Sequence, residues 1–297
     1  MNRKSRRQVE KVRLTDLLNY HYKGIGMNTF KWTGLPEYIK PQYPERWLYE
    51  QGMCTVMKPK GQDDIYILPV KYGSLKLDPY GDPLEWQAYA VAGTSLAELI
   101  GNQQLDADNS VLIWNDAFHN PSYPMVDMWV KKMVRVECSI DTNVLVQQMP
   151  IVFRTSQNET LDGKNTYEQI VEQELAVFKN KSYNGADIEF ITPNIPFLAD
   201  KLSDQYMVYD NRILEYFGIP HLPVEKQERM LTGEVDKSDS KCLIIRESRL
   251  NQRKLACKKI NEIFGLNVEV EFNEPDTDTP AMSGASKTGA GDGQFEN

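Results

Sequence analysis

Apolar side chains near the start of the chain recur at the spacing of one helix face. Between Leu14 and Ile25 they fall three, four or seven residues apart, which predicts a helix from about Thr15 to Lys31. The proline-rich segment GLPEYIKPQYP (34–44) must end it, because each proline removes a backbone donor and fixes φ.

Two further stretches keep the same helical period. Ser122 can cap a helix and Pro124 suits a first turn, and the apolar spacing that follows predicts a long helix over 122–147. The third stripe predicts a helix over 200–217, with Gly218 ending it.

Short runs of β-branched and aromatic residues separate these helices and predict strands. They are MCTVMK (53–58), IYILPVK (65–71), EWQAYAV (85–91), VLIW (111–114), PIVFRT (150–155), DIEFIT (187–192) and NVEVEF (267–272). In the last run, apolar and polar residues alternate, as on a half-buried strand. Long helices and short strands without βαβ alternation predict an α+β fold.

The predicted structure changes from helix to loop near residue 233. A short helix is predicted from Pro223 to Leu231 and a stop at Gly233. The polar residues of 234–248 then predict a mobile loop, and a further helix follows Ser248 and ends before Gly265.

Composition favours a soluble globular protein without a cofactor. Of 297 residues, 41% are hydrophobic and 26% are charged, and no apolar run is long enough to cross a bilayer. The basic N-terminus has no apolar segment, so no secretory signal is predicted. Four dispersed cysteines and three dispersed histidines have no metal-ligand spacing.

Charge is unevenly distributed along a chain whose net charge is −8. Residues 1–13 carry six basic side chains against Glu10 alone, a local charge of +5, and residues 273–297 carry five acidic side chains against Lys287, a local charge of −4. A basic arm on an acidic protein suggests a polyanion partner such as nucleic acid; the alternative is a solvated, disordered start.

Local motifs do not support catalysis. The run SGASKTGAGDG (283–293) lacks the glycine before Lys287 that a phosphate-binding loop needs. Glu269 and Glu271 share one face of a strand, and a solvated face is favoured over a metal site. The helix after Ser248 carries five basic residues, namely Arg249, Arg253, Lys254, Lys258 and Lys259. Such a face could lie along phosphates or face solvent, and the solvated face is the favoured interpretation.

Several stretches, in matching order over about residues 14–272, resemble one family. They are FKWTGLPEYIKPQYPERWLYEQG (30–52), IWNDAFHNP (113–121), MPIVFRTSQNETL (149–161), DKLSDQYMVYDNRILEYFGI (200–219), EKQERMLTGEV (225–235) and ACKKINEIFGLNVEVEF (256–272). The chain resembles the upper collar connector, or portal protein, of the small protein-primed podoviruses of Picovirinae type.

The resemblance implies a ring, typically of twelve subunits, at the portal vertex of the virion, assembled in the host cytoplasm. Double-stranded DNA would pass through the ring during packaging and ejection. The implied partners are the major capsid protein, the lower collar or tail protein, a packaging ATPase and, in some members, a packaging RNA. No membrane, cofactor or enzymatic activity is expected.

The implied organisation places long channel-wall helices inside and a small β-rich, SH3-like wing unit outside. The expected segments are a basic flexible arm (1–13), a first stem helix and connector (14–50), a wing (51–121), a long stem helix (122–147), a β-rich wing unit (148–198), a channel helix and short helix (199–233), a tunnel loop (234–248), a crown-side helix and strand (249–272) and a disordered acidic tail (273–297).

Site residues carry over from the resemblance in two groups. The channel is expected to present Lys201, Asp236, Lys237, Asp239, Lys241 and Arg246 to DNA. The arm is expected to contact the motor or its nucleic acid through Arg3, Lys4, Arg6 and Arg7. The family's second channel lysine falls near Gln205 or Tyr206 here, so a double lysine ring is not expected.

Two alternatives stay open from the sequence. Another collar or head–tail adaptor protein would share ring assembly without the tunnel loop. A metal-dependent nucleic-acid-processing enzyme would cleave DNA.

Overall fold

The structure, a computed structural model, describes residues 3–71, 76–90, 100, 103–148, 196–221 and 232–274. Over these ranges the helices are α1 (Arg3–Met27), α2 (Gln42–Gln51), α3 (Tyr123–Gln148), α4 (Ala199–Phe217) and α5 (Thr232–Phe264). The strands are β1 (Phe30–Thr33), β2 (Met53–Met57), β3 (Tyr66–Lys71), β4 (Gln87–Ala88), β5 (Ser110–Trp114) and β6 (Glu269–Phe272). The predicted α+β class is confirmed.

Three long helices, α1, α3 and α4, pack around one apolar core. Its buried members include Tyr22 from α1, Val130 and Met133 from α3, and Ile213 and Phe217 from α4. The predicted second and third helices are confirmed at nearly the expected bounds, because one continuous apolar stripe defines each of them.

A four-stranded antiparallel sheet has the order β4-β3-β2-β5. Its central strand β2 is buried on both faces: Cys54 and Val56 join the core beneath α2 and α5, whereas Met53 and Met57 join a second core that contains Trp86. The four strands predicted between residues 53 and 114 are confirmed, although the third is only two residues long.

A second, two-stranded sheet joins the two ends of the described chain. Strand β1 pairs antiparallel with β6, so that Phe30 lies opposite Phe272 and Trp32 opposite Val270. The predicted extension of the first helix to Lys31 is wrong, because residues 30–33 pair with β6. The predicted half-buried strand at 267–272 is confirmed, with Val268 and Val270 buried and Glu269 and Glu271 exposed.

The first helix begins earlier than its buried stripe predicts. It starts at Arg3, so the segment expected to be a flexible basic arm is helical from that residue. Residues 3–23 contain no glycine or proline and are rich in good helix formers, and such a sequence continues a helix past its last buried turn.

The predicted tunnel loop at 234–248 is wrong, since these residues belong to α5. The polar residues 234–241 suggested a loop. A stripe of buried residues on one helix face nevertheless starts at Cys242 and continues through Arg249 and Arg253 to Ile260. A stripe in constant phase favours one uninterrupted helix over a loop between two helices.

Helix α5 crosses the end of α4 closely. Gly218 has φ +74° and ends α4, with its N–H bonded to the carbonyl oxygens of Leu214 and Glu215. A Cβ atom at residue 218 would lie 2.9 Å from the Cβ of Arg246 on α5. Glycine therefore serves both the left-handed helix end and the close approach of the two helices.

Three predictions lie outside the described residues: most of the β-rich, SH3-like unit of 148–198, the short helix at 223–231 and nearly all of the acidic tail of 273–297. Among the helices that are described, none combines the length and the apolar character that crossing a membrane requires.

Candidate nucleic-acid interface

Lys201 lies in the first turn of α4 and is exposed to solvent. Asn143 of α3 fixes the start of this helix: its side-chain amide donates to the carbonyl of Pro196 at 3.2 Å, and its Oδ1 accepts from the N–H of Leu198 at 2.9 Å. The chain therefore presents this lysine from a helix whose first turn is tied to the neighbouring stem helix.

The exposed side of α4 carries mixed charge. Asp200, Lys201 and Asp204 are exposed along it, Gln205 lies beside them, and Arg212 follows with its side chain 53% exposed. A surface with both signs attracts a polyanion less strongly than a purely basic one, so it suits weak contact with phosphates.

Lys241 lies on α5 next to the end of α4. Its ammonium group forms an ion pair with Glu215, which Arg212 also contacts at 3.4 Å. The pair is largely exposed on the lysine side, so it stays near solvent while its charge is partly balanced. Asp236, Lys237 and Asp239 belong to the first turns of the same helix.

Arg246 is mostly covered within the subunit. Its guanidinium group lies 4.4 Å from the centre of the Phe272 ring and 3.1 Å from a carboxylate oxygen of Glu274. Only 17% of the side chain is exposed. The structure therefore separates Arg246 from the exposed candidate Lys201 and places it against β6.

A buried ion pair joins α5 to α2. Arg253 donates from Nε to Oε1 of Glu45 at 2.7 Å and from Nη2 to Oε2 at 2.8 Å. Trp32 donates to the same Oε1 at 2.9 Å, and Arg253 Nη1 donates to the carbonyl of Asn115 at 2.9 Å. The two charged side chains are 1% and 2% exposed, so the pair is a structural junction and is closed to phosphate.

Arg249 lies one turn earlier and is also buried. It donates to Asn115 Oδ1 at 3.0 Å, to Ser122 Oγ at 2.5 Å and to the carbonyl of Tyr216 at 3.4 Å, all neutral oxygens. Burial and the neighbouring Arg253 lower the pKa of its guanidinium group from its usual value. Ser122, expected to cap α3, has its hydroxyl oxygen engaged by this arginine.

The sequence interpretation missed this junction, although a signal was present. Both arginines occupy one stripe with Leu250, Ala256, Cys257 and Ile260, all of them buried. An arginine at an apolar position of an amphipathic helix indicates a buried, partnered charge. Both interpretations offered for the basic face are therefore wrong for Arg249 and Arg253. Lys254, Lys258 and Lys259 are exposed, as both interpretations require, so the solvated face stays a prediction for them.

The four basic residues Arg3, Lys4, Arg6 and Arg7 lie on the first two turns of α1. They are far along the chain from Lys201, which lies in the first turn of α4.

The candidate carboxylate pair Glu269 and Glu271 lies on the exposed face of β6, and Lys31 contacts Glu271 at 3.5 Å. The favoured solvated-face interpretation is confirmed. Among the described residues, no three His, Cys, Asp or Glu side chains are grouped closely enough to hold a metal ion.

Comparison with known proteins places this arrangement in one family. The sequence profile of Phage Connector (GP10) matches residues 2–275. The fold is similar to that of a chain in the portal and tail of native bacteriophage P68, with a TM-score of 0.51 and 15% identity over 92% of this chain and 91% of that one. A portal protein of the HK97 family from Corynebacterium diphtheriae has a TM-score of 0.42 and 11% identity over 89% of this chain and 94% of that one.

The profile match covers nearly the whole chain and is in accord with the long stem helices and open sheets described above. The chain therefore belongs to the phage connector family and has the portal or connector role of that family in the phage head.

Proposed function

We propose that copies of this protein close into a ring, with twelve subunits as the expected number, whose channel admits double-stranded DNA during packaging and releases it at infection. The observation that carries this proposal is the match to the connector family over residues 2–275. The tight packing of α1, α3 and α4 supports it, because three long helices that share one core make a stiff wall segment.

The exposed side of α4 is the proposed DNA-facing surface. Lys201 and Arg212 supply positive charge there, and Asp204 limits how strongly phosphate is held. Contacts to phosphates carry no sequence information and weaken with salt, which suits a surface along which DNA must slide.

The first turns of α5 are the second proposed channel element. They carry Asp236, Lys237, Asp239 and Lys241, and they approach DNA as a helix end in place of the tunnel loop that the sequence predicted. Arg246 is left out of this set because Glu274 and Phe272 engage its guanidinium group inside the subunit.

The start of α1 is the proposed contact with the packaging motor. Arg3, Lys4, Arg6 and Arg7 put four positive charges on two helical turns, a density that suits a polyanion such as a packaging RNA or an acidic surface of the packaging ATPase. The capsid protein and the lower collar or tail protein are the other proposed partners, with assembly in the host cytoplasm. The proposed role is structural, without catalysis.

Electron microscopy and mass photometry of the purified full-length protein test the proposal. We expect ring particles with a central hole, of a mass near twelve subunits, and retention of linear double-stranded DNA that decreases with salt. Monomers alone at micromolar concentration would contradict it. Cleavage of DNA that depends on a divalent metal would favour the enzyme alternative instead.

A further inference from the structure

A groove of about 240 Å³ lies between the β5–α3 connection and α5. Six of the residues that line it carry the argument, namely Asp116, Phe118, Tyr216, Ile244, Ile245 and Arg249. It is built from three separate parts of the chain, so its shape depends on the folded subunit.

The edges of this groove are apolar and exposed. Phe118 is 84% exposed and Ile244 is 70% exposed. Phe118 is held in place, because Asp116 Oδ1 accepts from its N–H at 2.9 Å and from the N–H of Asn120 at 3.1 Å. Two large apolar side chains on an ordered rim favour a protein partner that covers them.

Two arginines are buried beneath the floor of the groove, and Asp116 on its wall lies close enough to act on the charge of Arg249. Arg249 and Arg253 are both buried, and Glu45 is the one carboxylate that forms an ion pair with them among the described residues. Arg249 lines the groove and directs its described hydrogen bonds to neutral oxygens. A carboxylate that entered from outside would supply the ion-pair partner that Arg249 lacks within this described part.

The outer side of α1 has the complementary character. Its exposed apolar residues Val9, Val12, Leu17 and Tyr20 fall on one side of the helix, opposite the side that packs on α3 and α4. Asp16 is exposed among them, and Arg13 lies one turn before it. This side therefore offers apolar cover together with one carboxylate and one guanidinium group.

We propose that the groove over Arg249 receives the outer side of α1 from a second copy of this chain. Asp16 of that copy pairs with Arg249, Arg13 pairs with Asp116, and the apolar side chains cover Phe118 and Ile244. The two surfaces differ, so the contact is head-to-tail and can close a ring. The inference rests on the proposed function, because a ring repeats one such contact between each pair of neighbours.

DNA suits this groove less well than a protein does. Asp116 on its wall repels phosphates, and the apolar rim offers them no hydrogen-bond donors. A helix that bears both signs of charge and four apolar side chains can pair with both Asp116 and Arg249 and can cover the apolar rim.

Site-directed cross-linking of assembled rings tests the contact. The double variant Tyr20→Cys with Ile244→Cys is treated with a short bifunctional maleimide and analysed by denaturing electrophoresis, beside each single variant and a control pair of Asp63→Cys with Ile244→Cys. Asp63 is fully exposed in the turn between β2 and β3, at the opposite end of β2 from Gly52, which lies against His119 and Asn120 beside the groove. We expect a ladder of covalent multimers from the test pair alone.

Charge reversal gives a second measurement in case the cysteine variants assemble poorly. Asp16→Lys should weaken subunit association by about tenfold or more, since it places like charge against a buried cation. Asp64→Lys makes the same charge change at an exposed loop and should leave association unchanged. Mass photometry over a concentration series measures both.

The outcomes separate the contact from the ring. Wild-type rings without specific cross-linking, together with normal assembly of Asp16→Lys, would overturn this contact and leave the proposed function intact. Loss of the ladder only when DNA is added would place DNA in the groove and would also overturn it. A wild-type protein that forms no rings would overturn the proposed function and this contact with it.

Discussion

Arg253 and Glu45, which are 208 positions apart in the chain, form a bidentate ion pair that is almost fully buried. The arginine belongs to α5 and the glutamate to α2, so the pair fastens the last helix to the core beneath the four-stranded sheet. Arg253 also lies 4.1 Å from the centre of the Phe30 ring on β1. One side chain therefore connects a helix, the small sheet and the loop after β5.

Removing one member of this pair should destabilise the subunit strongly. Arg253→Met leaves Glu45 buried without its cation, and the expected loss in the free energy of unfolding is about 3–5 kcal/mol. Denaturant titration of the purified protein measures it. Lys258→Met, at an exposed position of the same helix, should change the free energy by less than about 0.5 kcal/mol.

A double replacement distinguishes a buried charge from a packing defect. Arg253→Met combined with Glu45→Leu removes both charges, and its cost should be clearly smaller than the sum of the two single replacements. Strict additivity of the two costs would contradict the ion-pair account.

The sequence predicts the parts of this fold that rest on local periodicity. Helices α3 and α4 follow from their apolar stripes, and the alternation of Val268 and Val270 with Glu269 and Glu271 gives β6. Strand β1 could not be found in this way, because Phe30–Thr33 continues a helical pattern and becomes a strand only through its partner β6, about 240 residues away. Pairing at such a distance has no local signature.

The candidate site was predictable only in part. Lys201 was identified from the resemblance and is exposed, whereas Arg246 was assigned to the channel and is covered within the subunit. The covering of Arg246 depends on Phe272 and Glu274, which follow it by 26 and 28 residues and reach it only through the fold. Whether a charged side chain is exposed depends on the tertiary structure, so residue type alone could not show that Lys201 is exposed and Arg246 is covered.

Two glycines of α1 should respond in opposite directions to alanine. A Cβ atom at Gly24 would meet nothing within 4 Å, so Gly24→Ala should raise the free energy of unfolding by about 0.5–1 kcal/mol through helix propensity. A Cβ atom at Gly26 would lie 2.9 Å from two ring atoms of Phe217, so Gly26→Ala should lower it by about 1–3 kcal/mol.

Thermal and denaturant unfolding of the two glycine variants make the comparison direct, since the variants share one helix and one chemical change. Equal effects of the same sign would show that packing of α1 against Phe217 is looser than the structure indicates.

Stability should fall as pH rises above about 9. Burial raises the pKa of the Cys257 thiol from 9.0 to about 12, and burial raises that of Cys54 as well. Above pH 9 the unfolded chain loses these protons while the folded chain keeps them, so each thiol favours unfolding by up to about 1.4 kcal/mol per pH unit. The stabilising contribution is complete below pH 9 and is lost toward pH 12.

Replacement of the thiols checks the sign and the source of this pH dependence. The free energy of unfolding measured between pH 7 and 10 should decline less steeply in Cys257→Ala than in the wild type, and less again with Cys54→Ala added. An unchanged slope in the double variant would assign the decline to other groups, such as the buried Tyr49, whose pKa is also raised by burial.

Neutralising Lys201 tests whether the exposed side of α4 faces DNA. Lys201→Gln removes one positive charge per subunit from the first turn of α4 and leaves the hydrogen bonds of Asn143 with Pro196 and Leu198 in place, so rings should form as in the wild type. If this lysine binds phosphate, DNA binding should weaken. The dependence of log K on log salt should also become less steep, by about 0.9 for each phosphate that the ring no longer neutralises.

Lys258→Gln is the matched control for this measurement, because it removes the same charge from an exposed position of α5 that lies outside the proposed channel surface. A general change in net charge would affect both variants alike. A reduced salt slope in Lys201→Gln alone therefore assigns the channel to α4, and equal slopes in both variants would remove this helix from the DNA path.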